Sequence, residues 1–358
     1  MCHIIGLDIG GANLKLASLK VAGNRVLDVS VYSKYFPVWK HKDRLAEALS
    51  GFLQETVKTE KPDGIAVTMT AELSDAFQTK REGVNYILDC VALFSDRAPV
   101  WVLDVDAELI RIEEARLKPL RVAAANWAAT GWLAAKLARN CIVIDVGSTS
   151  TSIVPVLQGR VITNGKTDLE KLLVGELVYT GSLRTNVAAI VDYLPVKGGL
   201  ARVSSEHFAQ SADVHLILGN ITIEDYTCET ADGKGKTLHD SMDRLARVVC
   251  ADTEMLSANE IKQMALYIHN KQIWQIGEAV TQVLTRLPKP IDKEFQALVA
   301  GVGKAFLAKK AAEQAGISKI TDIDELLGSK VSKALPAVGV ALLGASKIVG
   351  RCIQWTQC

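Results

Sequence analysis

Apolar runs that stop at a carboxylate and then a glycine recur along this chain. Ile4 to Ala17 reads IIGLDIGGANLKLA: the run reaches Asp8, breaks at Gly10-Gly11 and resumes through Leu14, Leu16 and Ala17. That order predicts a buried strand, a tight glycine turn and a returning strand. Cys141 to Val156, CIVIDVGSTSTSIVPV, repeats it. Setting Asp8 on Asp145 places Ile9 on Val146 and Gly10 on Gly147. Arg25 to Phe36 predicts a third strand, with Val26, Val29, Val31 and Tyr35 among its apolar positions. Lys40 to Val57 has helical spacing through Leu45, Ala48, Leu49 and Phe52. Gly64 to Thr70 is a buried strand, and Val100 to Asp104 is another. Ala123 to Trp127 runs into a small-residue helix with Asn126 in the N-cap position.

In the second half, Leu238 to Val249 and Ser257 to Leu287 have helical patterns, the latter closed by Leu287-Pro288-Lys289-Pro290. Thr227 to Lys236 is loop-like, and Gly175 to Asn186 predicts a strand end and a polar loop. Gln296 to Ala311 reads as strand, glycine turn and helix. Leu335 to Val349 is an Ala/Gly-rich helix suited to close packing on the first lobe. A chain of 358 residues predicts about two domains. The expected division is 1–138 plus 337–358, then 139–336 with an insertion around 158–235.

Composition narrows the classes. Hydrophobic residues make up 49% and charged residues 23%, the balance of a soluble globular protein. A net charge of +1 implies no field for nucleic acid or a membrane surface. No run is read as a membrane span and no signal-peptide pattern opens the chain, so a cytoplasmic location is expected. Of the seven cysteines, Cys90, Cys141 and Cys250 lie in apolar segments and read as reduced core thiols. His215, within VHLIL, reads as a core residue, since no histidine has partners at metal-ligand spacing. G-x-S-x-G, Walker A and reactive-cysteine signatures are absent, which weighs against hydrolase and P-loop readings. The oligomeric state is left open.

The turns carry the candidate chemistry. Glycine has no Cβ to hold a ligand away, so backbone N–H groups at Gly10 and Gly11 can approach phosphate oxygens. Asn13 and Lys15 complete that candidate loop. Gly147 with Ser148, Thr149 and Ser150 forms a second one, rich in hydroxyl donors. Asp8 and Asp145 stand where each could hold Mg²⁺, directly or through water. The other reading is an ordinary hairpin whose aspartate bonds its own turn. Arg184 either clamps a phosphate or forms a local surface pair. Gly301 and Gly303 either receive a diphosphate at a helix start or allow close helix–strand packing. Glu72 and Asp75 follow a strand's carboxyl end, where α/β sheets place ligands; solvated helix-start acids are the alternative.

The paired Asp-x-Gly hairpins resemble the two phosphate loops of the actin, sugar-kinase and Hsp70 superfamily. The resemblance implies a two-lobed α/β, ribonuclease H-like fold with a central cleft. A narrower one is carried, in order, by DIGGANLK, VTMTAELSDAF, the AANW at Ala124 to Trp127, DVGSTST, VYTGSLRT, ADVHLILG, TADG and RLAR. Together these motifs, spread over nearly the full chain, look like the hydantoinase/oxoprolinase-related branch associated with tetrahydromethanopterin-linked one-carbon metabolism. That resemblance implies a transferase of methanofuran-type biosynthesis. The phenol of γ-glutamyltyramine, or of a related tyramine or tyrosine compound, would displace diphosphate from a furanylmethyl diphosphate. Glu72 would be the base, Asp8 and Asp145 the Mg²⁺ carboxylates, and Asn126, Trp127, Thr180 and Gly181 substrate contacts. ATP is compatible with the two loops but not required. Two alternatives stay open: an ATP-dependent kinase or hydantoin-opening enzyme, and a nucleotide-gated binding protein.

Overall fold

The computed structural model describes residues 1–57, 61–288, 294–328, 331–353 and 355. β1 (Cys2–Ile9), β2 (Asn13–Ala22) and β3 (Arg25–Tyr35) form an antiparallel meander. β4 (Gly64–Met69), β5 (Val100–Leu103) and β6 (Leu109–Arg111) extend it in the order β3-β2-β1-β4-β5-β6. β1, β4 and β5 run parallel, so their carboxyl ends share one edge of the sheet. β7 (Cys141–Val146), β8 (Thr151–Leu157), β9 (Arg160–Val161), β10 (Leu177–Val178), β11 (Tyr193–Val196), β12 (Gly199–Arg202), β13 (Gln296–Ala300) and β14 (Ile320–Asp322) follow. The second sheet has the order β10-β8-β7-β13-β14, with β9 on β8, and β11-β12 is a separate hairpin. Two compact units result: Met1–Val143 with Val154–Leu173 and Thr321–Cys358, and Ile144–Ile153 with Val174–Ile320.

In the first unit, alternation along the strands decides what covers each face. Ile5, Leu7 and Ile9 of β1 and Ile65, Val67 and Met69 of β4 share a core with Leu45, Leu49 and Phe52 of the helix Leu45–Val57, and with Val84, Ile87 and Val91 of the helix Lys80–Ala92. The helix predicted from Lys40 begins at Leu45, after the short turns Val38–His41 and Lys42–Arg44. The opposite face is nearly smooth. There Gly6 lies against Ala337 and Ala341, and Gly344 against Ile4 and Ala66, so the helix Leu335–Val349 rests almost directly on the sheet backbone. Its other side meets the helix Asn126–Leu137, where Gly339 abuts Ala129. A helix covered on both sides has no polar stripe, and Val331–Val349 is apolar and long enough to cross a membrane by length and composition. Of that window 78% is buried in the protein. Asn126 is the first helical residue; Ala125 occupies the N-cap position, without a side-chain cap.

In the second unit, Ser257 and Glu260 form a capping box that starts the helix Ala258–Thr285, and Thr237 and Asp240 do the same for Leu238–Arg247. Lys289 and Pro290 lie outside the described residues. Val187, Leu194, Val214, Leu245, Met264 and Ile268 are among the residues of its core. Two of the sequence motifs meet beside it: Arg244 donates to Asp213 Oδ1 at 2.9 and 2.7 Å and to Gly235 O at 2.9 Å. The loop around Asp232 is thereby anchored to a fully buried ion pair. Cys250, expected in the core, is exposed. It sits past the helix end with φ +57, where the turn points its side chain outward. The other described cysteines are also free thiols.

The contact at Gly6 leads to a stability prediction. A Cβ there would stand 2.0 Å from Ala337 O, whereas one at Gly11 would meet nothing within 4 Å. Gly6→Ala should cost at least about 1–3 kcal/mol in urea unfolding, as overpacking does. Gly11→Ala should stay within about 1 kcal/mol of wild type. Equal effects would mean that the helix is not held at the sheet surface by this contact.

Candidate active site

The two hairpins close with the same bond. Gly10 N–H donates to Asn13 O at 3.0 Å, and Gly147 N–H donates to Ser150 O at 3.0 Å. A Cβ on Gly10 would approach Asn13 O to 2.8 Å, so the tight first turn requires glycine. Asp8, two residues earlier, is 3% exposed. Its Oδ2 lies 3.7 Å from Lys15 Nζ, its register partner across the hairpin. Its Oδ1 is buried without a hydrogen bond. Burial raises the carboxyl's pKa, opposed by the Lys15 charge. The alternative of an aspartate that bonds its own turn is therefore not what the hairpin shows.

An oxygen stripped of water with nothing in exchange fits a hard cation. Among the described residues no group of three or more His, Cys, Asp or Glu is arranged to hold a metal. A sparse protein ligand set suits Mg²⁺, which keeps waters and shares substrate phosphates. Asp8 therefore fits as a single donor.

Glu72 follows β4 in a short 3₁₀ turn, Ala71–Leu73, and is 1% exposed. Neither carboxyl oxygen accepts a hydrogen bond. Lys80 Nζ lies 3.6 Å from Oε1, an ion pair longer than a hydrogen bond. Burial pushes the Glu72 carboxyl up to about 7, and the Lys80 charge restrains the rise. Asp75, the neighbouring candidate, is exposed. Asp104 is occupied elsewhere: it accepts from the N–H groups of Asp106 and Glu108 and pairs with Arg121 at 2.5 Å.

Asn126 opens its helix, and Trp127 beside it is 3% exposed. The Trp127 ring faces Lys171 Nζ at 4.0 Å and Lys166 Nζ at 5.7 Å, while its Nε1 is buried without a partner. Lys166 also pairs with Asp106 at 3.0 Å. Lys80, Asp168, Lys166 and Lys171 were not among the sequence candidates, because a solvated charge and a folded-in one look alike in sequence.

In the second unit the loop Gly147–Ser150 is braced from behind. A Cβ on Gly181 would reach 2.6 Å from the Thr149 backbone, so only glycine permits the approach. Ser182 N–H donates to Gly147 O at 2.9 Å, and the N–H groups of Leu183 and Arg184 donate to Ser148 O at 3.0 Å. Arg184 Nη1 donates to Thr149 Oγ1 at 3.1 Å, so the arginine supports the loop. Gln272 Nε2 donates to Thr180 Oγ1 and Gly181 O at 2.8 and 2.7 Å, and Gln272 Oε1 pairs with His215 Nε2 at 3.0 Å. His215 is fully buried, with a pKa lowered to about 3 by burial. It is a neutral core residue, as expected. Gly301 has φ +84, and a Cβ there would meet Val146 O at 2.3 Å and Asp145 Oδ1 at 2.6 Å. Gly303 N–H donates to Val146 O at 3.0 Å. Both glycines thus pack closely on the end of β7.

The hydantoinase/oxoprolinase family model matches residues 63–343. The chain is 38% identical over 341 residues to the (4-{4-[2-(gamma-L-glutamylamino)ethyl]phenoxymethyl}furan-2-yl)methanamine synthase of Methanocaldococcus jannaschii, covering 95% of this chain and 97% of that one. A protein of the same name from Methanococcus vannielii is 35% identical over 207 residues, 57% of this chain and 90% of its own. Among solved structures, nucleotide-free acetone carboxylase aligns with a TM-score of 0.54 at 10% identity, over 95% of this chain and 70% of that one. That likeness concerns fold alone. The expected α/β class is the one observed, in two compact units.

The buried carboxyl has a measurable cost. The folded protein holds the Glu72 proton up to about pH 7 and the unfolded chain only to about 4.5, so stability falls as pH rises through that window. The full loss is about 3 kcal/mol. Urea unfolding at about pH 5 and pH 8 should show Glu72→Gln losing less stability than wild type by that order. Parallel pH dependences in the two proteins would mean that Glu72 ionises as an ordinary carboxylate.

Proposed function

The chain belongs to the hydantoinase/oxoprolinase family, and from that premise we propose that it is an aryl-ether-forming transferase of methanofuran-type biosynthesis. The phenol oxygen of a γ-glutamyltyramine-like acceptor attacks the methylene carbon of a furanylmethyl diphosphate. The new carbon–oxygen bond is the ether, the bond to diphosphate breaks, and the phenolic proton passes to Glu72. The relative from Methanocaldococcus jannaschii supports this reading, since its name describes a product with a phenoxymethyl group on a furan.

The observation that carries the mechanism is Glu72: a buried carboxyl, free of hydrogen bonds, at the carboxyl edge of the first sheet, with its pKa brought up to about 7. A phenol has a pKa of about 10. A base that is about half ionised at neutral pH combines availability with proton affinity, which an ordinary glutamate does not. The furan ring spreads positive charge on its methylene carbon, so leaving-group departure runs ahead of attack. Lys15 and the open Gly10-Gly11 turn are proposed to receive the departing diphosphate, and Gly147 with Ser148, Thr149 and Ser150 is a second candidate phosphate loop, in the other unit. Asp8 is the proposed carboxylate for Mg²⁺ on the first hairpin, and Asp145 the proposed one on the second. When bound, Mg²⁺ neutralises charge on the diphosphate.

An ATP-dependent reading shares the paired hairpins. Release of diphosphate from the furanylmethyl donor without turnover of Mg-ATP favours the transferase; a phosphorylated product favours the kinase, and slow ATP hydrolysis alone favours a nucleotide-gated binding protein.

Glu72→Gln should lower ether formation about 10²–10⁴-fold while sparing donor hydrolysis by water. More acidic phenols should partly restore it. Equal losses across phenols of different acidity would remove Glu72 from the base role. Asp8→Asn should instead slow both ether formation and donor hydrolysis and raise the Mg²⁺ concentration needed for half-maximal rate. An unchanged Mg²⁺ requirement would leave Asp8 a hairpin residue.

A further inference from the structure

Lys80 stands between two carboxylates from distant parts of the chain. Its Nζ is 3.6 Å from Glu72 Oε1 and hydrogen-bonds Asp168 Oδ2. Asp168 is 88 positions away. The Glu72 side chain is closed off completely, whereas Lys80 and Asp168 keep 23% and 21% of theirs exposed. The three therefore run from interior to rim as carboxylate, ammonium, carboxylate.

Neither end of this arrangement depends on the ion pair for its position. The helix Lys80–Ala92 is seated on the Glu72 backbone: a Cβ on Gly83 would come within 2.4 Å of Glu72 O. Thr79 Oγ1 accepts the Glu82 N–H at 3.1 Å and fixes where that helix starts. Asp168 lies in a segment held at two further points, by Lys166 on Asp106 and by Lys171 on the Trp127 ring. The helix Asp168–Leu173 is inside out, with Lys171 buried and Leu169 and Leu173 exposed. Lys171 is thus committed inward, while Glu170 faces solvent.

We propose that Lys80 is a positioning residue for Glu72 and that Asp168 opposes it, so that the two set the charge of the buried carboxylate between them. The inference rests on Glu72 being the base proposed above. Burial alone would keep Glu72 protonated and unable to accept the phenolic proton. An undivided ammonium beside it would hold it ionised but leave it a weak base. A lysine shared with a second carboxylate gives the intermediate state that proton transfer needs. The charged groups facing Glu72 are Lys80 and Asp168, each from a different helix.

The test reads the carboxyl itself. In full-length protein carrying ¹³C-labelled glutamate carboxyls, the Glu72 resonance is the one lost in Glu72→Gln. In Lys80→Met its titration midpoint should rise by about 1–3 pH units. In Asp168→Asn it should fall, and in Lys80→Arg it should stay near wild type. The acid limb of kcat/KM for ether formation should move with the midpoint in each variant, which a purely structural lysine would not cause. Unmoved midpoints, or movement in the same direction in Lys80→Met and Asp168→Asn, would overturn the proposal. If Lys80→Met does not fold, Asp168→Asn decides: a midpoint that fails to fall refutes the opposing role. Full ether formation by Glu72→Gln would sink the base reading separately, whatever the titrations show.

Discussion

Carboxylates taken out of water at the end of a parallel sheet are the constraint around which the first unit is arranged. A desolvated anion is unfavourable unless a cation, a hydrogen bond or a proton compensates it. Asp8 and Glu72 illustrate two partial compensations. Asp8 has Lys15 at 3.7 Å and one oxygen left over. Glu72 has Lys80 at 3.6 Å and a proton held up to about pH 7. Such unbalanced electrostatics cluster at functional sites and occur in structural ion-pair networks as well; the proposed roles of Asp8 and Glu72 make use of them.

Space is the second constraint, and glycine manages it. Gly6 and Gly344 let a helix lie on the sheet, and Gly83 lets another settle on the turn that carries Glu72. Gly301 and Gly181 bring supporting segments onto the end of β7 and its loop. Each brings backbone within a distance that a Cβ would prohibit. The backbone that carries Asp8 and Glu72 is thus held by close main-chain contacts. The second unit adds polar bracing, in which Gln272 ties Thr180 and Gly181 to the neutral His215.

The hairpins are alike in sequence and in closure, with the same Gly N–H bond to the residue three places on. Their surroundings differ. The first turn is open on the Cβ side of Gly11 and takes N–H groups of Val38 and Phe36 on its Gly11 and Ala12 carbonyls, while the second is backed by Ser182, Leu183 and Arg184. In the proposed reaction the departing diphosphate lies on the open side of the Gly10-Gly11 turn.

What the sequence determined by itself was local and periodic. The hairpins at Asp8 and Asp145, the helix Leu335–Val349 and the place of Glu72 after β4 follow from contiguous patterns, because strand period, turn chemistry and helix spacing act over a few residues. The α/β class follows from the same alternation. Tertiary structure decided everything that joins distant segments. Asp168 meets Lys80 across 88 positions, and Lys171 turns inward onto Trp127 from a helix whose leucines face out. Gly301 and Gly303 read in sequence as either a ligand loop or a packing contact, and the structure adds their close approach to the end of β7. Cys250 sits in an apolar stretch and is exposed, because a single left-handed residue redirects the chain. Burial and charge pairing depend on what the rest of the chain brings near, and local residue order does not contain that information.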